Sequence, residues 1–180
     1  MITVVSGSNR KGSECLTFAK KYKEILEMLT SAPIKLLAME DIAHDYFFPE
    51  MYMKGNQAPS LAALQDEYIT PAKKFVYVIS EYNGSYPGAI KIFLDACSTR
   101  NRDRAFKNKK AALVGVASGR AGNLRGMDHL GDVLNHLGTV ILPNKLPISS
   151  IFSLMDENGA ITDETTLEVM RKQAGELLVF

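Results

Sequence analysis

Residues 75–97 read FVYVISEYNGSYPGAIKIFLDAC, and three kinds of sequence follow one another within them. Phe75 to Ile79 is a short apolar run rich in β-branched residues, without polar alternation, as in a strand covered on both faces. Ser80 to Gly88 is polar and contains Gly84, Pro87 and Gly88, residues that make turns. Ile90, Phe93, Leu94 and Cys97 then recur at the spacing of a helical stripe, with Pro87 where a first-turn proline is tolerated. The unit is strand, loop, helix.

The same unit repeats on either side. Further apolar runs lie at Ile2 to Val5, Ile34 to Leu37, Ala111 to Val116 and Thr139 to Leu142. Leu16, Ala19, Tyr22, Leu26 and Leu29 share one face of a first helix, and Leu130, Val133, Leu134 and Leu137 share one face of a fourth. Gly138 follows the fourth helix as a C′ glycine would, and Thr162, Asp163 and Glu164 give the last helix an acidic N-terminus. Strands alternating with helices select a doubly wound α/β fold, and right-handed crossovers leave few topologies open. Five strands favour a flavodoxin-like parallel sheet of order 2-1-3-4-5, with helices on both faces, over the six-stranded dinucleotide fold.

The chain has 180 residues, 46% apolar and 23% charged, with a formal net charge of +1 from 21 Lys and Arg against 20 Asp and Glu. This length implies one domain over residues 1–180, able to bury a core without a metal or disulfide staple. The near-zero balance argues against a nucleic-acid surface, so any bound anion must be held locally. Cys15 and Cys97 cannot supply a disulfide framework and fit a reducing compartment. Met1 leads straight into an apolar run with no basic leader, and no apolar stretch approaches the roughly 20 residues of a membrane helix. The expectation is a cytoplasmic protein without a membrane partner.

In such a sheet, ligands bind beyond the carboxyl ends of the strands where strand order reverses, here between strands one and three. The loops after strands one, three and four should converge there. The first, Ser6 to Ser13, offers small residues, the hydroxyls of Ser6, Ser8 and Ser13, the guanidinium of Arg10 and a following helix N-terminus, which together describe a phosphate cradle. The same pattern also serves a tight polar turn with Ser13 as an N-cap. In the second, Ser80 to Gly88, backbone amides can face a flat heteroaromatic ligand beside Tyr82 and Tyr86. The third, Ser118 to Gly126, sets Arg120 and Arg125 among glycines before a helix.

Taken together, Gly7-Ser8-x-Arg10-x-x-Ser13, Glu81-Tyr82-Asn83-Gly84-Ser85-Tyr86-Pro87-Gly88 and Ser118-Gly119-Arg120-x-Gly122 resemble the NADPH-dependent FMN reductase family, relatives of chromate, quinone and azo-dye reductases. The middle motif is the specific one. The resemblance implies that Ser8, Arg10 and Ser13 contact the FMN phosphate, that Glu81, Tyr82, Asn83 and Gly84 line the isoalloxazine, and that Ser118, Gly119 and Arg120 lie beside its pyrimidine edge. It implies FMN as cofactor, NADPH or NADH as donor, and a small-molecule acceptor such as a quinone, azo compound, free flavin or oxidised metal ion. It implies no side-chain acid–base triad, so no catalytic residue is named, and it implies a homodimer, with pairing of dimers into tetramers left open. Two positions depart from the family pattern: Cys15, where an asparagine is common, and Ser80, where a proline is.

Other features are weighed against plainer readings. Cys15 is read as a small core residue before a redox thiol, and Cys97 as core or interface. His44, His129 and His136 are too scattered for a metal signature. The basic run from Arg100 to Lys110 is read as a solvated connection able to steer anions. The long segment Ala38 to Pro59, with Tyr46, Phe47, Phe48, Met51, Tyr52 and Met53, is a packed loop, an active-site wall or a dimer contact. The competing functions are a flavodoxin-type electron carrier, disfavoured by Arg10 and the charge of +1, and a nucleotide-sensing or scaffold protein with the same fold.

Overall fold

The computed structural model describes all of residues 1–180. Strands β1 (Ile2–Ser6), β2 (Ile34–Ala38), β3 (Lys74–Ser80) and β4 (Lys110–Val116) form a parallel sheet in the order β2-β1-β3-β4, and the predicted fifth position lies beside β4. Alternate side chains leave the sheet on opposite faces. Val5, Phe75, Tyr77, Ile79 and Leu113 meet α2 (Pro59–Leu64), α3 (Gly88–Ser98) and α5 (Leu124–His136); Val4, Val76, Val78 and Val114 meet α1 (Glu14–Leu29) and α6 (Glu164–Val179). Both faces are covered, which is why the strands read as unbroken apolar runs.

Three details differ from expectation. The stripe of α1 is rotated: Cys15, Phe18, Ala19, Tyr22, Ile25 and Leu26 are buried, whereas Leu29 is exposed and Leu16 half-exposed. The buried set recurs at three- and four-residue steps, a denser stripe than the leucines alone provide. The fifth strand is broken. β5 (Val140–Ile141) pairs with Lys110 and Ala111, and β6 (Leu146–Ile148) pairs with Val114 to Val116. Pro143 and Pro147 bring no N–H to this edge. At the gap the Leu113 carbonyl accepts from Gln173 Nε2 at 3.1 Å, and the same nitrogen donates to Asn144 O at 2.7 Å. Tyr22 OH donates to Gln173 Oε1 at 3.0 Å, so one buried amide ties α1, α6 and the broken edge together.

The basic run is the third difference, for it is largely structural. Arg100 makes a two-point pair with Asp66 at 2.8 Å, and Arg102, on the short helix α4 (Arg102–Phe106), donates to the His136 carbonyl at 2.7 Å, capping α5. Lys109 is buried, and its Nζ donates to the carbonyls of Ile69 and Thr70 at 2.7 and 2.9 Å, where the π-helical turn Gln65–Ile69 ends. A cation at a helix C-terminus is favourable, which explains why these charges sit between elements. In the long segment, Tyr46 and Met51 are buried, with the Tyr46 ring edge-on to Phe93 at 6.5 Å, while Phe47, Tyr52 and Met53 remain exposed. No helix is long and apolar enough to cross a membrane.

The terminal signals read from the sequence are present. Gly138 has φ +91° just beyond α5, and the Asp163 side chain accepts from Thr166 N at 2.7 Å as the N-cap of α6. Backbone packs directly against backbone at the end of β4. A Cβ on Gly115 would stand 2.1 Å from the Gly122 carbonyl oxygen, and one on Gly122 would stand 2.7 Å from Pro147. Gly175 of α6, by contrast, has open space around it. Gly115→Ala is therefore expected to cost about 3 kcal/mol or more in urea unfolding, at or beyond the usual overpacking range, because a backbone oxygen cannot swing away. Gly175→Ala is expected to add about 0.5–1 kcal/mol of helix propensity. Equal effects would contradict this packing.

Burial, with Arg104 adding a smaller effect, lowers the Lys109 pKa from 10.5 to about 8. Between those values the folded chain binds fewer protons than the unfolded one, so this group makes stability rise with pH. Below about pH 8 Lys109 is charged in both states and contributes no slope. Wild type is expected to gain stability over Lys109→Met between about pH 8 and about pH 10. Parallel stability curves across that window would refute it.

Candidate functional site

The carboxyl ends of β1, β3, β4 and β6 open into one cleft of about 670 Å³. Three of the four wall segments are the loops singled out in the sequence.

Gly7 starts the first wall. Its N–H donates to Val78 O at 2.8 Å, and a Cβ there would stand 2.9 Å from Ile79 and 3.2 Å from the Val78 carbonyl, so only glycine lets this loop cross over β3. The Ser8 hydroxyl is fully buried outside the cleft lining; it accepts from Arg10 N at 3.2 Å and shares a hydrogen with Tyr82 OH at 3.2 Å, joining the first and second loops. Ser13 caps α1, accepting from Cys15 N at 3.3 Å, and its hydroxyl proton remains available. Arg10 lines the cleft with its guanidinium 2.6 Å from Glu14 Oε2, a pair exposed enough to be exchanged for another anion. Cys15 lies on the floor. Its thiol donates to Val78 O at 3.0 Å, and burial pushes its pKa up, so it is a core residue rather than a reactive thiol.

The second wall is a tight reversal. Tyr82 and Ser85 exchange main-chain bonds of 2.9 and 3.0 Å around Asn83 and Gly84, whose φ values of +51° and +73° are those of a type I′ turn. Ser85 Oγ lies 2.9 Å from His129 Nδ1, which fastens the turn to α5. Ser80 begins this wall, and its hydroxyl is buried without a partner.

Asn123 anchors the third wall. It is buried with a left-handed φ of +59°, and its Nδ2 donates to Ile79 O at 3.2 Å and Ser80 O at 2.9 Å. Thus the end of β3 is held by the loop after β4, which answers the missing proline at position 80. Ser118 and Gly119 line the cleft; Arg120 is exposed beside it, outside the lining. The fourth wall, Ile151 and Phe152, has no motif in the sequence and follows from the placement of β6.

The main-chain N–H groups of Asn9, Ser13, Asn83, Gly84, Ser118 and Gly119 donate to nothing within the chain. N–H groups open at a cleft, together with the positive end of α1, are suited to an anion and to the carbonyl and ring-nitrogen edge of a heteroaromatic group. Of the ten residues named from sequence, Arg10, Ser13, Glu81, Tyr82, Asn83, Gly84, Ser118 and Gly119 are brought together on the lining, while Ser8 and Arg120 are not. Asn123 escaped the sequence reading because its role is to bond carbonyls of another strand. Asn123→Ala is expected to cost about 2–3 kcal/mol, from lost hydrogen bonds and an alanine in left-handed backbone, and to speed amide exchange in the Tyr82–Ser85 turn. Stability within about 0.5 kcal/mol of wild type, the usual range for a surface change, would remove it from this role.

The profile of the NADPH-dependent FMN reductase family matches residues 1–152. An NAD(P)H-dependent FMN reductase of Pseudomonas aeruginosa is 32% identical over 108 residues, spanning 59% of this chain and 58% of that protein. A 2-hydroxy-1,4-benzoquinone reductase of a Burkholderia species is 28% identical over 171 residues, covering 94% of this chain and 90% of that protein. Among solved structures, the flavoenzyme NAD(P)H:(acceptor) oxidoreductase FerB of Paracoccus denitrificans superposes with a TM-score of 0.75 at 24% identity, over 98% of this chain and 93% of that one, a likeness of fold. The sheet order, the loop cluster and the match over residues 1–152 agree, and the chain belongs to the NADPH-dependent FMN reductase family.

Proposed function

We propose that residues 1–180 act as one FMN-binding domain that oxidises NADPH or NADH and reduces a small-molecule acceptor: a quinone, an azo compound, free flavin or an oxidised metal ion. The observation that carries this reading is the convergence of the three polar loops, with their unpaired N–H groups, on one cleft at the point where strand order reverses. In this reading Arg10, Ser13 and the N-terminus of α1 hold the phosphate, and Ser8 sets the loop that presents them. The main chain of Glu81, Tyr82, Asn83 and Gly84 lines the ring system, Ser118 and Gly119 face its polar edge, and Arg120 flanks that edge. Bound FMN supplies two-electron chemistry between a nicotinamide and an acceptor. The protein orients and hydrogen-bonds, and no side chain serves as nucleophile or general base.

Family membership and the net charge of +1 favour the reductase over an electron carrier with the same cleft. A homodimer in the cytoplasm completes the proposal. The exposed Phe47, Tyr52 and Met53 and the charged face of α3 and α5, with Lys91, Asp95, Arg102, Asp132 and His136 around one groove, are its contact surfaces.

Titration of the apoprotein with FMN is expected to quench flavin fluorescence at one equivalent, and the loaded protein is expected to oxidise NAD(P)H when a quinone is present. In the same titration Arg10→Ala is expected to weaken FMN by about 1.5–3 kcal/mol, roughly ten- to hundredfold, the range for a charge-assisted hydrogen bond. Wild type that leaves FMN fluorescence unchanged would overturn the function. Unchanged affinity in the variant would overturn the phosphate assignment alone.

A further inference from the structure

The two ends of the cleft differ in chemistry. At the β1 end stand Arg10, Ser13 and Glu14; at the β6 end stand Ile151 and Phe152, beside Val116 and Ala117. The sheet order sets β1 and β6 three strand positions apart, about 14 Å at the usual interstrand spacing. A phosphate held at the first end therefore leaves the second to whatever approaches the ring system. Glu81, whose N–H donates to Val116 O at 3.2 Å, lies between the two ends, and no cation lines the second.

Phe152 is held in an unfavourable place. It is 63% exposed while its neighbour Ile151 is 5% exposed, and the turn Ile151–Leu154 presents the ring at the lip. The turn is firmly fixed. Ser150 N donates to Gly119 O and Ile151 N to Ala117 O, both at 3.3 Å, and Ser153 returns to the Ser150 carbonyl through its N–H at 2.9 Å and its hydroxyl at 2.8 Å. Ser150 itself has φ +50° and ψ +40°, a left-handed conformation that costs a non-glycine residue conformational energy. A large apolar ring left open at the mouth of the cleft, with Tyr82 on another wall, is placed to meet a ligand there.

We propose that Phe152 determines acceptor specificity, forming the apolar lip against which a planar conjugated oxidant of the quinone class is held. This rests on the reading of the cleft as an FMN site. In the overall reaction NAD(P)H gives up two electrons and a proton, solvent gives a second proton, and the quinone leaves as hydroquinone. A flat uncharged ring gains dispersion and desolvation from Phe152, whereas a small hydrated anion such as ferricyanide gains neither.

The test uses FMN-loaded wild type, Phe152→Ala and Phe152→Tyr. Equilibrium dialysis of menadione against the oxidised proteins is expected to show affinity about tenfold weaker for the alanine variant, and within about twofold of wild type for the tyrosine variant, which keeps the ring. The ratio of kcat/KM for menadione to that for ferricyanide is expected to fall by the same tenfold in Phe152→Ala. Its melting temperature is expected to stay within about 2 °C of wild type, as suits an exposed side chain. Unchanged menadione affinity, a parallel loss with both acceptors, a shift confined to the KM for NADPH, or a melting temperature lower by more than about 5 °C, the mark of a packing residue, would each overturn the proposal. Wild type that takes up no FMN would overturn the underlying reading and this proposal with it. FMN uptake with unaltered menadione binding in the variant would overturn this proposal alone.

Discussion

The approach of the Gly122 carbonyl to the Cα of Gly115 is the constraint on which the cleft depends. A methyl group on Gly115 would lie 2.1 Å from that oxygen, so β4 must be bare at this point for the following loop to fold back across it. Only with the loop laid down does Asn123 reach the carbonyls of Ile79 and Ser80. Those bonds hold the end of β3, from which the Tyr82–Ser85 turn projects, and Tyr82 in turn meets Ser8 of the first loop. Three loops from three strands become one rigid wall through a contact that carries no chemistry of its own.

Charge is handled in the same local manner. With a net charge of +1 the chain has no long-range field to gather an anion, and exposed charges are screened beyond roughly 10 Å in ordinary salt. Much of the basic run between α3 and β4 is engaged: Arg100 with Asp66, Arg102 with the end of α5, Lys107 with Asp103 and Lys109 with the carbonyls of Ile69 and Thr70. These contacts hold the sheet and its helices at the end remote from the cleft. At the cleft itself the exposed Arg10 has only Glu14 as partner, a pair that a more highly charged anion can displace. The cations are thus divided between elements that must not move and one site where exchange is useful.

The sheet order was legible because buried parallel strands lose polar alternation and helices keep theirs, so Phe75 to Ile79 and Ile90 to Cys97 read differently on sight. The lining residues of the first three walls were legible because loop composition is local. What the sequence concealed depends on contacts between distant segments. The break in the fifth strand is relieved by Gln173, 60 residues beyond the carbonyl it bonds. The Ser8 hydroxyl is tied to Tyr82, 74 residues away. Ile151 and Phe152 have no glycine, charge or motif to mark them, and they reach the cleft only because β6, after the break, continues beside β4 to its carboxyl end. An apolar pair in a loop reads as packing until the topology places it.

The division between the two ends of the cleft bears on how one site serves two different substrates in turn. A ligand that must stay requires directional partners, and the β1 and β3 loops provide hydrogen-bond donors in fixed positions. A substrate that must leave after each turnover is better held by contacts without direction, whose strength scales with area and which tolerate variation in shape. The β6 end offers Ile151, Phe152, Val116 and Ala117, with no cation on its lining. In the proposed reading, acceptors that share flatness and conjugation but differ in substituents find the same surface there, because no donor or acceptor group is left unpaired by a change of substituent. On the same reading, that end distinguishes flat apolar rings from hydrated anions but not one substituent from another, and finer selectivity belongs where the hydrogen-bond donors converge.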